Sequence, residues 1–388
     1  MDFDLSAEHA ALAARARAFA DRLRPTIAVL DDESRLPREH VGELAAQGLL
    51  TPHWPAEAAP PVPASPAAPR DTLAYALVLE ELARVSPAHA IVVSVHASLV
   101  GVPLLAFGTA AQKARWLPAM AKGDTLAAFA LTERGAGSDA GALETSARRQ
   151  GDGYVLNGEK VMITSAGPAG LFLVFATIDA RSGAKGVTAF LVPGDAAGIT
   201  RGPRDRTMGL RPADVRALHF ENVRVPEEAR LGHEGQGIKV ALTALNVGRI
   251  GVAAQSVGIA AETLDRAVAY ARGRRQFGQE IARFGGVGEL LADMAIDRDV
   301  ARLLTYDAAM ARDRGEDFAH LAARAKWVAS EAACANADRC LQIHGGWGYD
   351  VSVGVERYAR DARVTRLYEG TSEMQKLLVA RHAVTAAG

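Results

Sequence analysis

The sequence predicts an α+β protein in three parts: an N-terminal α-helical domain over 1–124, a middle, mostly antiparallel β domain over 125–235, and a C-terminal four-helix bundle over 236–388. Three observations lead there. Helical periodicity runs from Ser6 to about Gly123, apart from a proline-rich stretch, and returns at Gly237. Between these regions, short β-rich runs are broken by Gly, Asp and Asn. Four long helical stretches, 238–272, 286–314, 317–344 and 373–387, close the chain, as a bundle requires. At 388 residues the chain is longer than one hydrophobic core usually serves. No internal repeat is evident.

In order along the chain, Ser6 is placed to cap a first helix running through Phe19 and Leu23. Pro37 opens another, with Val41 and Leu44 inward and Gly48 at its end. Residues 52–69 hold seven prolines and read as an extended surface loop. Helix resumes at Asp71, with Leu73, Leu77 and Leu82 on one face. The uncharged run 90–107 reaches membrane-span length. It carries Ser94, His96, Ser98, Gly101 and Pro103, so a buried helix with a break is expected instead. A further helix starts at Gly108-Thr109 and passes Trp116 and Leu117. In the β region, Asn157-Gly158 between apolar runs signals a hairpin turn. Residues 171–178, 187–192 and 217–225 read as strands.

Composition narrows the function. The net charge of −1 argues against nucleic acid as the main partner. The acidic, polar start does not resemble a signal or transit peptide, and no membrane association is expected. Cys334 and Cys340 lie in a helical pattern without Cys-x-x-Cys spacing, which suits reduced thiols in a cytoplasm. No metal site is expected.

One tripeptide suggests chemistry. Glu369 stands between the Tyr368 ring and Gly370. The ring can exclude water, and the glycine admits a close ligand or backbone. A carboxylate partly removed from water becomes a usable general base. Most glutamates, however, are solvated surface residues, so the case rests on three further motifs: Phe129-Ala130-Leu131-Thr132-Glu133-Arg134-Gly135-Ala136-Gly137-Ser138-Asp139, Arg274-Arg275-Gln276-Phe277-Gly278 and Gln342-Ile343-His344-Gly345-Gly346-Trp347-Gly348-Tyr349. The first reads as a strand running into a Gly/Ser turn whose N–H groups can face a polar ligand.

With Tyr368-Glu369-Gly370-Thr371, these motifs in this order on an α–β–α plan resemble the acyl-CoA dehydrogenase family, flavoenzymes that convert an acyl-CoA to its trans-2-enoyl form. The resemblance spans the chain apart from the proline-rich stretch and implies an acyl-CoA dehydrogenase-like fold with FAD. It implies that Phe129, Leu131, Thr132, Gly137, Ser138, Met162, Thr164, Thr371 and Glu373 meet the cofactor. Arg274, Phe277 and the loop from Gln342 through Gly345 and Gly346 would reach the FAD of a neighbouring subunit, hence a homotetramer or homodimer. Ser138, Asn246, Arg249, Tyr368 and Gly370 would contact substrate.

Several positions depart from the family pattern. Arg134 replaces a common proline, so a looser turn is expected. Met162 replaces an aromatic residue, and packing on the flavin and plain core packing both remain open. Asn246 replaces an aspartate, and Gly285 replaces a glutamine that touches FAD. A minority of the family carries its base where Gly248 stands. Glycine cannot act as one, so Glu369 is left with that role.

The resemblance therefore implies α-proton removal by Glu369 and hydride transfer to flavin N5. The thioester oxygen would be held by the Glu369 N–H and a flavin ribityl hydroxyl. Electrons would then pass to an electron-transfer flavoprotein. Dicarboxylate-specific relatives have an arginine near Ala90. None is present here, so an uncharged acyl group, short or branched, is expected. A carrier-protein-directed dehydrogenase and a flavin monooxygenase on the same fold stand as alternatives.

Overall fold

The computed structural model describes residues 5–59 and 70–386. The acidic start, most of the proline-rich stretch and residues 387 and 388 lie outside them. The N-terminal helices begin where their caps predict. Ser6 accepts from His9 N at the head of α1, Ala7–Leu23. Two short helices follow, α2 (Ile27–Asp32) and α3 (Arg38–Ala46), the latter entered through Pro37. Asp71 caps α4, Thr72–Ala83. This helix is buried on nearly every side rather than along one stripe: Tyr75, Ala76 and Leu79 are as enclosed as Leu77 and Leu82.

The uncharged run is indeed a buried helix, and its break is specific. Helix α5 (Pro87–Ser94) passes through a π-helical segment, Val95–Gly101, into α6 (Val102–Phe107). Such wider turns push one residue out of register and often mark functional sites. Helix α7, Ala110–Ala121, starts with a full capping box between Thr109 and Gln112.

The reading of 52–69 as surface loop fails in its described part. Pro52, His53 and Trp54 are buried. The Trp54 indole donates to Ala97 O at 3.0 Å and covers Gly101, where a Cβ would collide with the ring. A large aromatic side chain outweighs the local turn signals.

Eight strands form the middle sheet: β1 (Leu126–Ala130), β2 (Ser146–Gln150), β3 (Gly153–Ile163), β4 (Ala169–Thr177), β5 (Val187–Pro193), β6 (Ile199–Arg204), β7 (Arg216–Pro226) and β8 (Arg230–Leu231). Their order is β6-β7-β3-β2-β4-β5-β8, with β1 parallel beside β4. The other ladders are antiparallel except for one β2–β4 bridge. The hairpin turn lies at Gly151-Asp152, not at Asn157-Gly158. That pair sits inside β3 at a register shift, with Gly158 at φ +148 and a Cβ there colliding with Thr145. An Asn-Gly pair can mark a bulge as well as a turn.

The C-terminal part is built on α8 (Gly237–Gly273), α9 (Gly285–Asp313), α10 (Ala319–His344) and α13 (Ser372–Ala386), with short α11 (Gly346–Tyr349) and α12 (Glu356–Arg363) between the last two. Gln342 and His344 belong to the last turn of α10 rather than to a loop, because the chain leaves the helix only at Gly345, φ +59. Helices α4, α5, α8 and α10 meet in one core through residues such as Leu79, Val93, Ile250 and Ala329. The segment linking α12 to α13 lies against that core and carries Tyr368, Glu369 and Gly370.

Candidate active site

Glu369 is held at φ +54, followed by Gly370 at φ +95. For a glutamate this left-handed backbone is strained and needs support from its surroundings. That support is visible. Lys326 on α10 donates to Gly370 O at 2.7 Å, and Gln375 Nε2 donates to the same oxygen at 2.8 Å. Arg249 on α8 reaches Glu369 O at 3.5 Å while its other end donates to Asn246 Oδ1 at 2.7 Å. The Tyr368 hydroxyl donates to Gln255 Oε1. Thr371 Oγ1 accepts from Met374 N at 3.4 Å and so starts α13. Glu373, exposed in its first turn, has a lowered carboxyl pKa because hydrogen bonds favour the anion.

All of this fixes the backbone and leaves the carboxylate itself free. Glu369 is half-buried as a residue, yet both carboxylate oxygens are shut from solvent and lack a hydrogen-bond partner among the described residues. Burial lifts its pKa to about 7, against the opposing pull of the Lys326 and Arg249 charges. Burial also lowers Lys326 to about 8. Gly248 faces the carboxylate directly: a Cβ there would overlap Oε2 and stand 2.7 Å from Leu99 Cδ2.

The remaining candidate residues fall into two groups. Phe129, near the end of β1, packs on Phe175 at 5.0 Å between ring centroids, with Leu131 buried just past the strand. Thr132 and Thr164 are half-buried, while Gly137 and Ser138 are exposed in the following turn. Thr132 O accepts from Val161 N, which ties the turn to Met162 on β3. Met162 is 64 % exposed at φ +58, so it is not core. The expectation of a loose turn is also overturned. Arg134 swings out to Glu159, while the Glu133 carboxylate receives Glu144 N (2.6 Å), Thr145 N (2.9 Å) and Lys160 Nζ (2.7 Å).

The second group lies at the far end of α8. Arg274 and Gln276 line a groove of about 570 Å³ with His344, Gly345, Gly346 and Trp347. Gln342 and Gly285 are exposed near this end, and Phe277 is 93 % exposed. Arg249 and Arg274 are separated by roughly 37 Å of helix axis. One chain therefore does not bring this group to Glu369.

Models of three acyl-CoA dehydrogenase domains match the chain in sequence: the N-terminal domain over residues 6–124, the middle domain over 128–223 and the C-terminal domain over 235–384. The chain belongs to the acyl-CoA dehydrogenase family. The mitochondrial short-chain specific acyl-CoA dehydrogenase of Mus musculus is 42% identical over 380 residues, 98% of this chain and 90% of that protein. The butyryl-CoA dehydrogenase structure from Megasphaera elsdenii matches with TM-score 0.95 at 38% identity, covering 99% of this chain and 100% of that one. A chain from the structure of the electron transferring flavoprotein of Acidaminococcus fermentans matches with TM-score 0.94 at 37% identity, covering 99% of both.

In this acyl-CoA dehydrogenase, two lysines escaped the sequence reading. Lys326 and Lys160 are both fully buried. Their only signal was a lone lysine in an alanine-rich helix face, Ala325-Lys326, and a lysine at an inward strand position, Lys160. Neither is distinctive without knowing what it meets.

Proposed function

We propose that this protein oxidises an uncharged, short- or branched-chain acyl-CoA to its trans-2-enoyl form, with FAD as cofactor. The observation that carries the reading is the Glu369 carboxylate: enclosed, without a hydrogen-bond partner among the described residues, and half-ionised near neutral pH. A base must have a free lone pair aimed at its proton and a pKa near working pH, and this group meets both demands. The carrier-protein and oxygen-dependent alternatives are not favoured, since the Mus musculus relative and the Megasphaera elsdenii structure above are both named for acyl-CoA dehydrogenation.

The residues fit FAD. Arg274 offers a planar fork of donors suited to a pyrophosphate. Beside it, a Cβ on Gly345 or Gly346 would meet nothing within 4 Å, which leaves room for close approach. Bound FAD supplies, at N5, the acceptor for the β-hydride. Thr132, Gly137, Ser138, Met162 and Thr164 form the cofactor-facing rim of the β domain, joined by Phe129, Leu131, Thr371 and Glu373. The Glu369 side chain takes the α-proton, and its N–H donates to the thioester oxygen. Tyr368 and Leu99 keep water away. Asn246, Arg249, Ser138 and Gly370 position the substrate. Because Arg274, Phe277, Gln342 and Gly346 are exposed and remote from Glu369, they suit the cofactor of a neighbouring subunit in a homotetramer or homodimer. An electron-transfer flavoprotein is the proposed acceptor and the cytoplasm the proposed location.

Anaerobic titration with acyl-CoAs from C4 to C16, plus isobutyryl- and 2-methylbutyryl-CoA, tests the reading. A short or branched thioester is expected to bleach the flavin. A protein that holds FAD and is bleached by none of them would overturn it. A pH series adds a second test. Since Glu369 works as the anion, kcat/KM should rise about tenfold per pH unit below about 7 and level off above it. The linkage runs the other way for folding. The folded carboxyl keeps its proton up to about 7 and the unfolded one only to 4.5, so this group's stabilising contribution is full below 4.5 and is lost as pH rises from there to about 7.

A further inference from the structure

We propose that Tyr75 is the end wall of the acyl pocket and limits the acyl chain to about four to six carbons, one turn of α8 beyond the base. The inference rests on the acyl-CoA reading above and adds the residue that sets chain length.

Two glycines on one face of α8 mark the line. Gly248 faces Glu369 and Leu99. Gly251, three residues on and on the same face, faces the Tyr75 hydroxyl and Ser94 Oγ, and a Cβ there would collide with both. The helix advances about 4.5 Å between them, roughly three or four methylene lengths. An acyl chain whose α-carbon sits at Glu369, and which runs between α8 and the π-helical segment, therefore meets Tyr75 soon after its fourth carbon.

The wall is fixed in place. Ser98 Oγ donates to Ser94 O at 2.7 Å, and the Tyr75 hydroxyl donates to Ser98 Oγ at 3.1 Å. The Ser94–Tyr75 contact of 2.7 Å must then carry the Ser94 proton. The four groups form a closed circuit in which no hydrogen is spare. Tyr75 is fully buried, and the His53 ring backs it at 4.5 Å between centroids. The π-helical segment helps make this geometry, since it presents Ser98 and Leu99 from consecutive positions toward α4 and α8. A longer chain could pass only by breaking the circuit and displacing a packed ring.

The test compares holoenzymes of wild type, Tyr75→Leu, Tyr75→Ala and Tyr75→Phe by kcat/KM on C4-, C6-, C8- and C10-CoA. Wild type should favour C4 over C8 by about tenfold or more, the scale on which a pocket discriminates by methylenes. Tyr75→Leu should raise the C8:C4 ratio about tenfold, and Tyr75→Ala should raise it further. Tyr75→Phe, which keeps the ring, should leave the C8:C4 ratio within about twofold of wild type. Leu or Ala variants that retain FAD and C4 turnover but show an unchanged ratio would overturn the wall. If the alanine variant loses FAD, the leucine variant decides. A wild type equally active on C4 and C8 overturns the proposal without any variant. A wild type inactive on every thioester would instead sink the acyl-CoA reading itself.

Discussion

Glu369→Gln is expected to keep bound FAD and to lose acyl-CoA-driven flavin reduction by up to about 10⁴-fold, the full range of a positioned general base. The substitution is close to isosteric. The carboxylate makes no hydrogen bond among the described residues, so an amide breaks none, and Lys326 and Gln375 continue to hold the backbone through Gly370 O. What is lost is the lone-pair basicity at a pKa of about 7. The residual rate should also lose its rise through pH 7. Rapid-mixing flavin reduction at several pH values measures both effects. A rate within tenfold of wild type would move the base elsewhere. Among the described residues, no other group near the carboxylate suits the role: burial raises the Tyr75 hydroxyl above its usual range, and Lys326 is committed to a carbonyl.

Gly248→Ala is expected to lower kcat by about 10²-fold while FAD binding persists. The new methyl would overlap Glu369 Oε2 and press on Leu99 Cδ2 at 2.7 Å. The carboxylate is the more mobile of the two, so it would be the group to move, and a displacement of about 1 Å in a catalytic group is worth about that factor. Gly42→Ala on α3 serves as the control. Nothing lies within 4 Å of its Cβ, so it should raise stability by up to about 1 kcal/mol through helix propensity and leave turnover alone. A Gly248→Ala enzyme with wild-type kcat would mean that the carboxylate has slack the structure does not show.

Much of this was legible in the order of residues. The cap at Ser6, the helix starts near Asp71 and Thr109 and the length of the last four helical stretches declared themselves, because capping and periodicity are local. Glu369 also stood out, since an aromatic residue and a glycine flank it. What failed depended on contacts distant in sequence. Asn157-Gly158 has turn chemistry, but β7 pairs along both sides of it and turns it into a bulge. Trp54 lies among prolines yet fills the space over Gly101. Arg134 suggested a loose turn because the brace, Glu133 with Lys160, joins the turn after β1 to β3, 27 residues on. The π-helical turn had only Gly101 and Pro103 to announce it, and these fit an ordinary kink equally well.

The loop that carries Glu369 draws on partners far along the chain: Gly370 on Lys326 at a separation of 44 residues, Tyr368 on Gln255 at 113, and Glu369 on Arg249 at 120. Contacts of that span close slowly, because the entropy of the intervening chain is lost before any contact forms. Three ladders of the sheet, β2–β3, β4–β5 and β6–β7, join strands close in sequence and face less of that delay. During folding, the scaffold thus has a head start over the proton acceptor. A half-folded molecule is chemically silent, and turnover can begin only when the final helix has docked.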